Sequence, residues 1–113
     1  MTNPIDKKFK IPGDKIVDLI GNIGACMATD KITVDGLPVG YMYREEPDNE
    51  IDNGWRFFSG TEDQEYVDDP NNTSIYNTNT IANYDKAIIP YLDLPEGTEL
   101  ERNDDDSFSI IQQ

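Results

Sequence analysis

The chemistry this chain can do is limited first by what it lacks. There is no histidine in the 113 residues, so the commonest general base, triad partner and zinc ligand is absent. The single cysteine, Cys26, sits between Ala25 and Met27 in an apolar segment with no neighbouring base; this is the setting of a buried, inert thiol rather than of a nucleophile. No phosphate-binding glycine loop, dinucleotide fingerprint or nucleophile elbow occurs. Carboxylates are the abundant reactive group, 23 Asp and Glu. Two of them suffice for glycoside hydrolysis, but with so many acids a pair somewhere carries no information. An EF-hand begun at Asp48 fails on Asn53 and Ser59, where a glycine and a bidentate glutamate are required. The acidic turns Asp68–Asn72 and Asp104–Asp106 are explained by turn chemistry without a metal. No catalytic residue, metal site or cofactor is therefore expected.

Charge narrows the partners. Nine Lys and Arg set against the acids leave a formal net charge of −14. Up to Gly40, Lys7, Lys8, Lys10, Lys15 and Lys31 balance Asp6, Asp14, Asp18, Asp30 and Asp35, so the entire excess lies beyond Gly40. Such a field repels phosphate backbones and anionic membrane surfaces, so neither nucleic acid nor membrane is an expected partner. It can steer a cationic protein, or simply keep the chain soluble. No apolar run approaches the ~20 residues of a membrane span. Met1 to Lys15 has no apolar stretch with a small-residue cleavage site, and a lone cysteine suits a reducing compartment, so a cytoplasmic location is expected.

The elements that must position these residues read as α+β. Leu, Ile, Val and Phe make up 26 of the 113 residues, about 23% and just above the ~20% below which acidic chains stay disordered. Residues 1–12 read as a flexible lead, and 13–113 as one domain. Ile16, Val17, Leu19, Ile20 and Ile23 have helical spacing behind Asp14, which predicts one N-terminal covering helix ended by Gly21 or Gly24. A strand is predicted from Ala25, continuing β-like through Lys31–Val34. After the turn Asp35–Pro38, Val39–Arg44 returns as its hairpin partner. An acidic loop from Glu45 to Asn53 precedes a strand at Trp55–Ser59. A short helix capped by Thr61, a helical turn at Asn79–Tyr84 and a closing hairpin of Thr98–Arg102 with Ser107–Ile111 complete the antiparallel sheet and its short helical pieces.

The most distinctive stretch is Tyr41-Met42-Tyr43-Arg44-Glu45-Glu46-Pro47, followed by Asp52-Asn53-Gly54-Trp55-Arg56-Phe57-Phe58-Ser59-Gly60-Thr61-Glu62. Asp-Asn-Gly is a tight-turn signal in which Gly54 supplies a cramped backbone. Arg44 and Arg56 can fork onto carboxylates such as Asp52 or Glu62 and hold loop to strand; alternatively the loop displays acids and an aromatic anchor to a partner. Together with Gly24–Lys31 and Asn79–Asp85, these segments resemble the immunity protein 33-like family of bacterial polymorphic-toxin systems, formerly a domain of unknown function. The likeness spans residues 24–108 and departs at Asn53, where the family pattern has Ser.

The resemblance implies a non-enzymatic immunity protein that binds and neutralises a cognate protein toxin. A basic nuclease is a natural target, because carboxylates compete for phosphate sites. The expected contacts are Glu45, Glu46, Asp48, Glu50, Asp52, Trp55, Glu62, Asp63, Asp68 and Asp69, with Arg44, Gly54, Arg56 and Gly60 as the structural motif. Two other readings stay open: a cytoplasmic interaction or regulatory module with a different partner, and a carboxylate-based hydrolase or sugar-binding module using Trp55 and tyrosines.

Overall fold

Alternation along one strand organises the molecule. In the computed structural model, which describes residues 8–111, Asp52–Phe58 is the longest and most buried strand. Trp55 and Phe57 point to one side; Arg56 and Phe58, one residue out of step, point to the other. A strand with so much to bury belongs in the middle of a sheet, and that is where it lies. Numbering the strands β1 (Ala25–Thr29), β2 (Tyr41–Arg44), β3 (Asp52–Phe58), β4 (Thr73–Asn77), β5 (Glu99–Arg102) and β6 (Phe108–Ile110), the order across the six-stranded sheet is β4-β1-β3-β2-β5-β6.

The apolar layer lies on the Trp55 side. Cys26 and Ala28 from β1, Met42 from β2, Trp55 and Phe57 from β3, and Leu100 from β5 are all fully buried there. They are covered by Ile32 of α1 (Asp30–Thr33), Ile81 of α3 (Thr78–Tyr84), and Ile88 and Leu92 from the 3₁₀ segment Lys86–Tyr91 and its end. All the helices of this cover are short, so it is a patchwork tied by side-chain hydrogen bonds. Trp55 Nε1 donates to the Leu92 carbonyl at 3.1 Å, and Arg102 holds Asp85. Asp85 in turn accepts from the backbone of Val39 and Ala87.

The α+β class and the strands at 25–29, 41–44 and in the closing hairpin agree with the sequence, as do the strand through Trp55–Phe58 and the helix at 78–84. Several details differ. Strand β3 begins at Asp52, so Asp52–Gly54, expected as the end of the acidic loop and a tight turn, is already strand. The sheet is mixed: β1 runs parallel to β3, and β1 and β2 are not hairpin partners, because β3 lies between them. Lys31–Val34 does not extend β1. The chain turns helical at Asp30, which drops Ile32 into the core and lets the Thr33 hydroxyl meet that of Tyr76.

The expected N-terminal helix is absent apart from a 3₁₀ turn at Gly13–Lys15. Its backbone has another partner: Asn83 Oδ1 accepts from the N–H of Val17, and Asn79 Oδ1 accepts from those of Leu19 and Ile20. The segment is thus held by side chains of α3 instead of by its own ladder. Helix α2 (Gln64–Asp68) is capped by Asp63, whose Oδ1 accepts from Tyr66, while the Thr61 hydroxyl bonds Ser59. Strand β4 had no sequence expectation. Residues 1–7 of the predicted lead lie outside the described residues; Lys10 and Ile11 are tied to Thr33 and Tyr84.

Candidate functional site

The opposite face of the sheet is bordered by α2 and the 3₁₀ turn Pro70–Asn72, through Val67 and Pro70, and neither of these contributes a fully buried side chain. Residues out of step with the core line it: Met27 on β1, Arg56 and Phe58 on β3, Tyr41 and Tyr43 on β2, Glu99 and Glu101 on β5 and Ile75 on β4. The register aligns Ile75, Met27, Arg56, Tyr43 and Glu99 as one row across five strands, and Phe58, Tyr41 and Glu101 as another across three. Three rings meet here. Tyr43 stacks on Phe58 with centroids 5.7 Å apart and planes 15° apart, and Tyr41 lies 5.8 Å from each.

Three depressions cross this face end to end. One of about 220 Å³ lies between Met27, Ile75 and the loop residues Asp48 and Ile51. The next, about 250 Å³, shares Met27 and runs over Tyr43, Arg56 and Phe58 to Val67. The third, about 470 Å³, shares Phe58 and Val67 and opens beside Tyr41, Glu62 and Glu101. Together they form a groove with an apolar and aromatic floor. Its lining holds the carboxylates Glu45, Asp48, Asp52, Glu62 and Glu101 against one cation, Arg56.

That cation is spoken for. Arg56 is 3% exposed; its Nη1 and Nη2 donate to the two oxygens of Asp52 at 2.8 and 2.7 Å, and its Nε donates to Glu45 at 2.6 Å. Asp48 lies 3.8 Å away. The Arg56 guanidinium, with the Asp48 and Gly54 N–H groups, holds the Asp52 carboxyl well below the usual carboxylate range, so it stays ionised. The same bonds push Arg56 up. Gly54 makes the approach possible: at φ +90° a Cβ would sit 2.1 Å from the Glu45 carbonyl oxygen, so the Glu45–Ile51 loop can fold against β3 only over a bare backbone. Gly40 serves the other end in the same way, where a Cβ would fall 2.1 Å from the Ser59 oxygen.

Arg44 does not fork onto a carboxylate. It faces the core side, donates to the carbonyls of Asn53 and Leu94, and lies over the Trp55 ring. Glu62 pairs with neither arginine. It accepts from the Thr29 hydroxyl at 2.5 Å and from the N–H groups of Ser59 and Gly60, closing the loop after β3. Burial pushes Glu62 up, but these donors outweigh it and hold it low. Gly60, at φ +94°, takes the left-handed conformation this turn needs.

The remaining predicted contacts divide by place. Trp55 is corrected: it is fully buried on the core face, with its indole N–H already bonded, and offers no anchor to a partner. Glu45, Asp48, Asp52 and Glu62 line the groove, with the first three gathered round Arg56. Glu46 and Glu50 are exposed on the β2–β3 loop. Asp63, Asp68 and Asp69 are exposed around α2, where Asp63 and Asp69 cap helical turns. Residue-type reading missed Tyr41, Tyr43, Phe58, Glu99 and Glu101; the period-two alternation of β2, β3 and β5 was the signal that places them together.

Two chemical properties bear on reactivity. The Cys26 thiol is fully buried and its pKa is pushed up to about 12, chiefly by burial. Among the described residues no three Cys, Asp or Glu side chains are grouped to hold a metal ion, and no helix is long and apolar enough to cross a membrane.

The family model of the Immunity protein Imm33 domain matches residues 26–112. The chain belongs to the Imm33 immunity-protein family. No curated protein and no solved structure matches the chain. The Imm33 match begins inside β1 and runs past β6, so it takes in the groove, the Arg56 cluster and the helices that cover the core. The segment before β1 lies outside it.

Proposed function

We propose that this Imm33 protein acts without catalysis, in the cytoplasm, by binding a cognate toxin domain and blocking its active site or an essential surface. The observation that carries this reading is the match to an immunity-protein family over residues 26–112. The groove supports it physically. It is a preformed, carboxylate-lined surface whose one cation among the described residues is neutralised internally, suited to pressing negative potential against a basic protein. A basic nuclease fits that description, since its phosphate-binding surface is where carboxylates compete. Glu45, Asp48 and Glu62 would meet the toxin from the groove, and Glu46, Glu50, Asp63, Asp68 and Asp69 from the flanking loops. Asp52 would contribute by fixing Arg56.

Co-expression tests the proposal. Cells producing the toxin encoded beside this gene should survive when the chain is supplied, and the two purified proteins should elute together in gel filtration. Continued killing with no complex would refute it.

A further inference from the structure

We infer that the groove on the open sheet face is the docking surface, and that it takes a basic segment of the toxin, with Lys or Arg stems lying across Tyr43 and Phe58 and their charged heads meeting Glu45, Glu99 and Glu101. This rests on the immunity reading above and adds where the toxin binds and by what chemistry.

The argument starts from the floor. Sheets flanked by helices on one side usually keep their other face polar; here the two central strands put Tyr41, Tyr43 and Phe58 on it, in mutual ring contact. Rings locked by one another lose little freedom on binding, which favours them as contact surface. Charge selects the occupant. Asp52 already takes two of Arg56's donors, yet the Glu45 and Asp48 side chains remain 49% and 66% exposed. Glu101 is exposed beside Tyr41, and Glu99, paired across the sheet with Tyr43, accepts from the Tyr41 hydroxyl. An acidic or purely apolar segment would strip water from these carboxylates and bring no counter-charge to offset the loss. A Lys or Arg satisfies both parts of the surface at once: its stem is apolar, its head attracts both the ring faces and the carboxylates.

The test uses the full chain and the purified toxin domain encoded beside it. Glu101→Lys in the groove and Asp93→Lys, exposed on the connection between the helical cover and β5, change the net charge by the same amount. Glu101→Lys should weaken toxin binding by at least about 30-fold, or roughly 2 kcal/mol at 1.4 kcal/mol per tenfold. Asp93→Lys should stay within about threefold of wild type, the range of long-range charge alone. On toxin addition, the ring proton resonances of Tyr41, Tyr43 and Phe58 should shift, while the Trp55 indole resonance stays in place. Thermal melts of both variants separate lost contact from lost fold, and the ring shifts, read on wild type, do not depend on any variant folding. Equal effects of the two substitutions, or unmoved rings in a complex that forms, would overturn the groove while leaving the immunity reading intact. A wild-type chain that forms no complex would remove both.

Discussion

Replacing Arg56 by Met isolates the contribution of the buried ion pair. The substitution keeps a long apolar stem but removes the guanidinium, leaving the Asp52 carboxylate, 8% exposed, without a cation. Breaking a buried pair by removing one partner costs about 3–5 kcal/mol. Two features favour the lower end. Asp52 keeps the N–H donors of Asp48 and Gly54, and the Glu45 carboxylate, half-exposed, can return to water. A loss of about 3 kcal/mol at pH 7 follows, which for a domain of this size lowers Tm by roughly 10–15 °C. Urea denaturation can be read from the fluorescence of Trp55, the only tryptophan and a fully buried one; the denaturant slope should not change.

The pH dependence gives a sharper check. The native Asp52 pKa lies below its unfolded value of ~3.9. Its stabilising contribution is therefore complete above about pH 5 and is lost as pH falls from there through the depressed native value. In the Arg56→Met protein the same carboxylate is buried with no cation, its pKa moves up, and acid relieves the strain by protonating it. The gap between wild type and variant should accordingly shrink from about 3 kcal/mol at pH 7 to less than about 2 near pH 3.5. General acid effects on so charged a chain act on both proteins and cancel in the difference. A gap below about 1 kcal/mol, or one constant across that range, would refute the assignment of the pair as a stabilising buried clamp.

Three further outcomes follow from the same geometry. Gly54→Ala puts a Cβ 2.1 Å from the Glu45 oxygen at a φ of +90°; it should destabilise by at least about 2–3 kcal/mol in urea titrations, and a change under 1 kcal/mol would show that the loop relaxes freely. Cys26, fully buried with its pKa pushed up to about 12, should resist iodoacetamide at pH 8 in the native protein and label readily in urea; rapid native labelling would contradict its burial. If the acidic surface steers a basic toxin, the association rate should fall by about tenfold or more between 20 and 500 mM salt while dissociation changes little, and a rate indifferent to salt would reduce that surface to a solubility feature.

What the sequence disclosed was mostly local. Alternation in Tyr41–Arg44 and Trp55–Phe58 is a property of a few residues and reads directly as strands; the cramped backbone at Gly54 beside an arginine fork is equally local, although Asp52–Gly54 is strand instead of a tight turn and only Arg56 of the two arginines makes the fork. Pairing was not legible. Nothing within β1 or β2 shows that β3 will insert between them, because that choice depends on which strand has most to bury on both sides. The helical spacing of Ile16–Ile23 is genuine, but two asparagines about 60 residues away claim its backbone donors, and no local pattern reports that competition. Trp55 shows the same limit for the site. Its parity with Phe57 was readable, whereas the face those two residues occupy was decided by where α1, α3 and the Lys86–Tyr91 segment landed.

That choice of face links stability to recognition. Because side chains alternate along β3, committing Trp55 and Phe57 to the core places Arg56 and Phe58 on the outside. Because β2 pairs with β3 residue by residue, Tyr41 and Tyr43 follow them there. An arginine at that position then needs carboxylates, which it finds in Asp52 on its own strand and Glu45 on the adjoining loop, so the loop is drawn to the edge of the aromatic floor. The groove is thus the reverse side of the core, sharing its strands but few of its side chains. Substitutions at Tyr43, Phe58 or Glu101 can reshape the groove without opening a cavity beneath Trp55. Arg56 is the exception, since it holds the loop and lines the groove at once, and its replacement should damage both stability and docking.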